Sequence, residues 1–228
     1  MYTLTGGGRV QRRTRPGVPV QRSVRRPVLI GAAAAAAIAA WWWTDSAPYP
    51  YAQRWLLDLP LPFLTNRRLD ALLAARPGER VLEIGPGTGL QALHVAALLG
   101  ARGRLDIVDV QQPMLDHVLR RAAAAQVGPI VAARADARDL PFDDASFDAA
   151  YLVTVLGEIP DPQAAIREIG RVLKPGGRLV VGEFLDRHYV PLVTLLGYAN
   201  DARLRPSAWL GPPLAYFARF EPSSADVR

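Results

Sequence analysis

Short apolar runs and longer stretches with the apolar spacing of amphipathic helices alternate along residues 80–184. The short runs predict five strands, at Arg80–Ile84, Leu105–Val108, residues 129–136, residues 146–155 and Arg178–Phe184. The stretches between them predict three helices, at Leu90–Leu99, Pro113–Gln126 and Pro162–Leu173. Strands and helices that alternate in this way predict an α/β fold, with a doubly wound, mostly parallel sheet.

The two ends of this region predict further elements. Thr65 can cap a helix at Asn66–Ala75, and a second helix is expected at Val190–Ala199. Residues 207–222 (SAWLGPPLAYFARFEP) have the pattern of two strands joined by the turn GPP. Such a hairpin adds an antiparallel edge to the sheet at its C-terminal side.

Composition divides the chain into five segments. We expect a basic tail at 1–27, an apolar helix at 28–46, a connector at 47–75, a ligand-binding α/β domain at 76–221 and a loose C-terminus at 222–228. Seven of the 27 basic residues and none of the 21 acidic ones lie in residues 1–27, so the rest of the chain carries a formal charge of −1. A near-neutral domain does not present the basic face that nucleic-acid binding requires, and no nucleic-acid partner is expected.

Residues 28–43 form an uncharged run of 16 residues that ends in three tryptophans. As a helix this run is about 24 Å long, which is short for a bilayer core of about 30 Å. A membrane anchor, a cleaved export signal and a soluble alanine helix on a disordered arm all stay open. A single span with the N-terminus inside would place the rest of the chain outside, and a helix lying in the interface avoids that arrangement.

Three glycines alternate in VLEIGPGTGL, directly after the first predicted strand. Gly85, Gly87 and Gly89 let the backbone approach a ligand closely at the edge where open α/β sheets bind ligands. The dinucleotide fingerprint G-x-G-x-x-G/A has a small sixth residue, where this chain has Leu90, and the phosphate loop G-x-x-x-x-G-K-[ST] is absent. The chain has no cysteine, and its histidines lack metal-ligand spacing, so no metal site is expected.

Two aspartates follow the next two predicted strands. Asp109 lies 20 residues after Gly89 and can accept hydrogen bonds from ribose hydroxyls, as in NAD enzymes and other adenosine binders. Asp136 ends the third strand, where its carboxylate can accept from an adenine amino group while the Ala137 N–H donates to the ring. A turn or helix cap is the alternative role for Asp136.

Five motifs together resemble a class I S-adenosylmethionine-dependent methyltransferase of the small-molecule type, similar to quinone-biosynthesis methyltransferases. They are VLEIGPGTG, VDVQQPML, DARDLPFDDASFD, AAYLVTVLGEIPD and RVLKPGGRLVV, in order over residues 76–184. The resemblance implies a seven-stranded sheet with a reversed last strand and S-adenosylmethionine as the cofactor. It also implies a set of cofactor-binding residues, namely Glu83, Gly85, Gly87, Gly89, Asp109, Val110, Asp136, Ala137 and Val153.

Catalytic candidates lie after the fourth and fifth strands. Many relatives in this superfamily carry two histidines where this chain has Gly157 and Glu158, which leaves Glu158 as the available carboxylate. His188, in DRHY, is placed to act as a general base. For both residues a solvated or capping role is the alternative. Methyl transfer is an in-line displacement that depends mainly on alignment, so a base is needed only for a protonated nucleophile.

The acceptor is expected to be a small, apolar or lipid-like molecule. In such enzymes the N-terminal segment often covers the active site, and the aromatics of the connector (Tyr49, Tyr51, Trp55 and Phe63) can wall an apolar pocket or pack on the sheet. We expect a cytoplasmic enzyme that associates with the membrane through residues 28–43. An NAD-linked oxidoreductase and a non-catalytic, membrane-tethered cofactor-binding module remain alternatives.

Overall fold

A computed structural model describes residues 48–58 and 64–223 of the chain. The predictions for the basic tail at 1–27, the apolar helix at 28–46, Phe63 and most of the segment 222–228 lie outside these residues. Within the described residues, no helix is both long and apolar enough to cross a bilayer.

Five α-helices and seven strands form the described domain, together with two short 3-10 helices. The α-helices are α1 (Asn66–Leu73), α2 (Leu90–Leu99), α3 (Gln112–Ala125), α4 (Pro162–Val172) and α5 (Leu192–Asp201). The strands are β1 (Arg80–Ile84), β2 (Arg104–Asp109), β3 (Ile130–Arg134), β4 (Phe147–Val153), β5 (Leu173–Phe184), β6 (Leu204–Leu210) and β7 (Ala215–Pro222). The 3-10 helices are Tyr51–Asp58 and Leu156–Glu158.

The seven strands form one sheet in the order β3-β2-β1-β4-β5-β7-β6. The pairs among β1 to β5 are parallel, whereas β7 is antiparallel to both β5 and β6. The predicted doubly wound sheet with an antiparallel C-terminal hairpin is confirmed, including the seven strands and the reversed last strand. The strand order reverses between β1 and β4, because the chain runs outward from β1 through β2 to β3 and then returns to β4 on the other side of β1. This reversal creates a switch point.

The core explains why the predicted strands are almost continuously apolar. Buried side chains pack on both faces of the sheet, so the central strands have no solvated side. Leu82 and Ile84 of β1 pack on one face, and Val81 packs on the other with α1 and α2. This packing fixes the carboxyl ends of β1, β2 and β4 side by side, where the loops that follow them meet.

The predicted boundaries differ from the structure mainly at β5 and β6. β5 begins at Leu173, because Leu173 already pairs with Phe147 and the residues KPGG form an irregularity before Arg178 pairs with Ala149. β6 begins at Leu204, three residues earlier than the predicted hairpin. The predicted N-cap of α1 is confirmed, because Thr65 accepts a hydrogen bond from the Arg68 N–H at 3.4 Å.

Candidate active site at the carboxyl edge of the sheet

A cavity of about 790 Å³ opens at the carboxyl ends of the parallel strands. Its walls come from the glycine loop after β1, the ends of β2, β3 and β4, and residues 48–58, which we call the lid segment. Seven of the residues expected to bind a cofactor line this cavity, namely Gly85, Gly87, Asp109, Val110, Asp136, Ala137 and Val153. Glu158 also lines it, whereas Glu83, Gly89 and His188 are outside its lining.

The glycine loop has a left-handed backbone at each of its three glycines, with φ of 64° at Gly85, 52° at Gly87 and 86° at Gly89. A Cβ on Gly85 would lie 2.5 Å from Val155 Cγ2, and one on Gly87 would lie 3.2 Å from Leu57 Cδ1 of the lid segment. Both positions therefore need glycine for conformation, and Gly85 also lacks space for a side chain. Gly89 has a different place, because it caps the N-terminus of α2 and faces α3.

Asp109 lies at the end of β2 with its carboxylate on the cavity wall. Its Oδ1 accepts a hydrogen bond from the Gln111 N–H at 2.7 Å. Burial raises the pKa of Asp109 to about 6, while the N–H groups of Gln111 and Val110 oppose the shift. At neutral pH the group is therefore an ionised acceptor whose other lone pairs can bind hydroxyl groups.

Asp136 lies after β3, where an exposed ion pair holds its carboxylate. Arg138 Nη2 lies 2.7 Å from Asp136 Oδ2, and the Arg138 N–H donates to Asp136 Oδ1 at 2.9 Å. The Arg138 guanidinium keeps the pKa of Asp136 below its usual range. The turn role considered in the sequence analysis is thus present, and the residue still lines the cavity beside the buried Ala137.

Glu83 lies on β1 directly beneath the glycine loop and is almost fully buried. Burial raises the pKa of Glu83 to about 8, and the hydroxyl of neighbouring Tyr151 opposes the shift. Its Oε2 has no hydrogen-bond partner among the described residues. A buried carboxyl oxygen without a partner is costly, and a donor on a ligand can satisfy it if the loop opens toward it.

Glu158 ends the short 3-10 helix after β4 and faces the cavity. Its Oε2 accepts a hydrogen bond from the Tyr49 N–H of the lid segment at 3.2 Å. Burial raises the pKa of Glu158 to about 8, the Tyr49 N–H and Arg187 oppose the shift, and Asp186 and Asp109 add to it. The cavity therefore holds a carboxyl group that exchanges its proton near neutral pH.

His188 is buried under the lid segment, with its ring edge-on to Tyr49 at a centroid distance of 6.5 Å. The structure does not bring it into the cavity lining with Glu158. The loop that carries His188 also explains why position 157 is glycine here, where many relatives carry a histidine. A Cβ on Gly157 would lie 1.7 Å from the His188 carbonyl oxygen. Gly157 and the path of the loop through His188 therefore require each other.

The lid segment is attached to the ends of β2 and β4 through hydrogen bonds to its backbone. Gln111 Nε2 donates to the Tyr49 carbonyl at 2.8 Å, and the Tyr51 N–H donates to Gln111 Oε1 at 3.2 Å. Asp58, at the other end of the segment, accepts from Thr88 Oγ1 at 2.7 Å. Of the connector aromatics, Tyr49 lines the cavity, Tyr51 packs edge-on against His117, and Trp55 is exposed.

Replacing Gln111 with Ala should loosen the lid segment while the fold persists. Two neutral hydrogen bonds are lost, each worth about 0.5–1.5 kcal/mol, so we expect amide exchange across residues 49–58 to quicken by about tenfold. Gln112→Ala is the matched control, since the Gln112 amide donates to Asp116 on the exposed side of α3. Equal exchange rates in the two variants would show that Gln111 does not hold the lid.

The sequence patterns do not identify several residues of the cavity. Gln111 follows Asp109 in VDVQQ, and only the structure separates its role from that of Gln112. Thr154 has a left-handed backbone, with φ of 54°, at the end of β4, which is a strained conformation for a β-branched residue. Asp186 lines the cavity while its Oδ1 accepts from the His188 N–H at 2.7 Å.

Comparison with known proteins agrees with this geometry. Residues 82–181 match the family described as "Methyltransferase domain". These 100 residues are thus similar to methyltransferase domains. The match covers the glycine loop, Asp109, Asp136 and Glu158, and it ends within β5. The family resemblance seen in the sequence is thereby confirmed for this part of the chain.

The curated relatives include ubiquinone/menaquinone biosynthesis C-methyltransferases. The protein of Pseudomonas putida is 41% identical over 143 residues, which are 61% of this chain and 53% of that protein. The protein of Vibrio vulnificus is 38% identical over 121 residues, which are 52% of this chain and 46% of that protein. The chain thus spans about half the length of the curated relatives it matches.

Solved structures share the fold at lower sequence identity. A SAM-dependent methyltransferase from Aquifex aeolicus has a TM-score of 0.69 and 17% identity, with 76% of this chain and 98% of that one covered. The [4+2]-cyclase SpnF has a TM-score of 0.60 and 23% identity, with 68% and 79% covered. Because a protein titled as a cyclase has the same fold, the fold alone does not fix the reaction.

Proposed function

We propose that this chain transfers a methyl group from S-adenosylmethionine to an apolar, quinone-type acceptor. The observation that carries the proposal is the cavity in which the glycine loop, Asp109 and Glu158 meet at the carboxyl edge of the sheet. Gly85 lacks space for a side chain, and the carboxyl groups of Asp109 and Glu158 have raised pKa values. A close backbone approach and an acceptor for ribose are what a nucleoside cofactor requires.

The residues present suit that cofactor in three respects. The Asp109 carboxylate would accept from the ribose hydroxyls, Asp136 and Ala137 would lie beside the adenine, and the bare backbone at Gly85 and Gly87 would adjoin the methionine part. The unpartnered Oε2 of Glu83 is a further acceptor beneath the loop. When bound, S-adenosylmethionine supplies an electrophilic methyl carbon and a thioether leaving group.

A thermal-shift titration tests the cofactor assignment. S-adenosylhomocysteine should raise the melting temperature of the full chain in a concentration-dependent way, because a ligand that binds only the folded state stabilises it. NAD at the same concentrations should leave the melting temperature unchanged. Stabilisation by NAD alone would replace this proposal with the oxidoreductase alternative.

An apolar acceptor is supported by the other half of the cavity. Its wall includes Leu57 and Leu64 from the N-terminal side, Ile159 and Pro160 after β4, and Phe184 at the end of β5. Such a wall suits a ring with a hydrophobic chain. The relatives named as quinone-biosynthesis C-methyltransferases support a quinone-type ring as the group that is methylated.

Glu158 is the residue we propose for proton removal from the acceptor. When a carbon–carbon bond forms on a quinol ring, the ring carbon or a hydroxyl must lose a proton to a base. Glu158 is half-buried in the cavity and has a pKa raised to about 8. His188 is outside the cavity lining, which supports Glu158 over His188 as the proposed base.

Replacing Glu158 with Gln should lower kcat by about 100-fold and flatten its pH profile. Burial raises the pKa of Glu158 to about 8 in the cofactor-free chain, so wild-type kcat should rise with pH up to about pH 8. A bound cation favours the carboxylate and would move the end of this rise to a lower pH. The amide oxygen of Gln can still accept from Tyr49, so the lid contact persists. Glu221→Gln, at the half-exposed end of β7, is the control. An ascending limb retained in Glu158→Gln would exclude Glu158 as the base.

We also propose that the chain works at the cytoplasmic surface of a membrane. The uncharged run of residues 28–43 with its flanking arginines supports membrane association, and a lipid-like acceptor gives that association a purpose. Fractionation of the full chain against one that starts at Ala47 tests the role of the run. An equal soluble fraction for both would remove it.

A further inference from the structure

Five exposed, large apolar side chains surround one end of the β5–β7–β6 part of the sheet. Their exposed fractions are 49% for Leu185, 76% for Val193, 64% for Trp209, 37% for Leu210 and 52% for Leu214. We call this set the apolar tip. A soluble surface rarely gathers such side chains without a partner to cover them.

Hydrogen bonds hold the members of the apolar tip together. The Leu185 N–H donates to the Leu214 carbonyl at 2.9 Å, and the Tyr189 hydroxyl donates to the carbonyl of Pro213 in the β6–β7 turn. The Tyr216 hydroxyl donates to the Val190 carbonyl at 2.7 Å, which fixes the start of α5 beside the same turn. Val193 lies in the first turn of α5, three residues after Val190, and Trp209 and Leu210 end β6 directly before the turn.

The apolar tip adjoins the mouth of the cavity. Phe184 and Asp186 line the cavity, and Leu185 lies between them in the chain. The antiparallel pairing places the end of β6 and the start of β7 at the same edge as the end of β5. A surface that covers the tip therefore lies at the same edge of the sheet as the cavity.

Charges near the tip favour an anionic partner. A Cβ on Gly211 would lie 3.0 Å from Arg68 Nη1, so that guanidinium lies beside the turn. Arg187 lies two residues after Leu185, with its guanidinium carbon 5.2 Å from the centre of the Tyr49 ring. Residues 185–216 contain three arginines (Arg187, Arg203 and Arg205) against two acidic residues (Asp186 and Asp201), and Arg68 adds a further positive charge. Trp and Leu side chains flanked by arginine are typical of surfaces that insert into the headgroup region of a bilayer.

The chain outside the described residues points to the same partner. The uncharged run ends at Trp43, five positions before Pro48, which lines the cavity. Five residues span at most about 18 Å when fully extended. A surface that takes up Trp43 therefore lies within about 18 Å of Pro48 at the cavity.

We propose that the apolar tip docks the methyltransferase domain on an anionic lipid bilayer, with the cavity mouth toward the lipid. The docking would let a lipid-like acceptor enter the cavity directly from the bilayer. The entry of a lipid-like acceptor rests on the proposed function, whereas the docking depends only on the apolar tip and the charges near it.

Hydrogen exchange of the full chain with vesicles of phosphatidylcholine and phosphatidylglycerol tests the docking. Peptides that cover residues 185–197 and 208–216 should exchange more slowly with vesicles, by about threefold or more, and less so with phosphatidylcholine alone. Protection confined to residues before 48 would overturn the proposal. Protection of the tip in lipid-free solution that grows with protein concentration would also overturn it, because a second copy of the chain would then be the partner.

A pair of charge substitutions gives an independent test. Val193→Glu with Leu214→Glu should lower the vesicle partition coefficient of the full chain by about tenfold. Leu98→Glu with Leu119→Glu, at exposed positions on α2 and α3, should leave it within about twofold. An equal effect of both pairs would overturn the proposal. The affinity for S-adenosylhomocysteine, measured on the same variants, should not change, and this readout separates failed docking from a wrong cofactor assignment.

Discussion

Asp109→Ala should weaken the binding of S-adenosylhomocysteine by about 10- to 100-fold. The carboxylate ends β2 inside the cavity, and its Oδ1 already accepts from the Gln111 N–H at 2.7 Å, which fixes its orientation. Hydrogen bonds to charged groups are worth about 1.5–3 kcal/mol, and 1.4 kcal/mol is a factor of ten in affinity. Because burial raises the pKa of Asp109 to about 6, wild-type affinity should also fall between pH 7.5 and pH 5, as the acceptor becomes protonated.

Isothermal calorimetry at pH 7.5 measures this effect. Asp116→Ala is the control, because Asp116 lies on the exposed side of α3 and accepts from Gln112 at 2.8 Å. The control should bind S-adenosylhomocysteine as the wild type does. If Asp109→Ala binds with unchanged affinity, the ribose assignment is wrong, and the glycine loop must hold the cofactor in another orientation.

Gly157→Ala should destabilise the chain by about 1–3 kcal/mol and remove most of its activity. The added Cβ would lie 1.7 Å from the His188 carbonyl oxygen, which is backbone and has no alternative rotamer. Either the loop carrying Asp186 and His188 or the 3-10 helix carrying Glu158 must move. Both contribute a carboxyl group to the cavity wall, so the substitution should disturb the site as well as the fold.

Denaturant unfolding of the cofactor-free chain measures the loss of stability. Gly197→Ala is the control, since a Cβ there would meet nothing within 4 Å, and alanine in a helix interior is favoured over glycine by about 1 kcal/mol. We expect that control to stabilise the chain or leave it unchanged. A Gly157→Ala variant as stable and active as the wild type would mean that the 186–189 loop adapts without cost.

Much of the fold is predictable from the sequence, because its strands are buried on both faces and are therefore almost wholly apolar. β1 and α2 have the predicted bounds, and the GPP turn correctly indicates the antiparallel hairpin. The early start of β5 is not predictable from a periodic pattern. It depends on Leu173 pairing with Phe147 across an irregularity, and that pairing is a tertiary contact.

The contacts of the cavity residues are harder to predict from the sequence. Glycines and acids at strand ends indicate a nucleoside site, since their chemistry is local and tied to the turn. The lid contacts join Tyr49 to Glu158 and Gln111, which are 109 and 62 residues away in the chain. The exclusion of His188 from the cavity also depends on the loop path over Gly157. No local sequence pattern predicts such contacts. Gln111 and Gln112 are therefore indistinguishable in the sequence, although only Gln111 bonds to the lid segment.

The most direct test of the central claim is a label-transfer measurement with the full chain. The chain is incubated with methyl-labelled S-adenosylmethionine and a prenylated quinol that lacks one ring methyl group, and the organic phase is then counted. Label should enter the organic phase with wild type and Asp116→Ala, and far more slowly with Asp109→Ala. Label that stays in the aqueous phase, or that enters the organic phase equally with Asp109→Ala, would show that the proposed methyl transfer at this site is wrong.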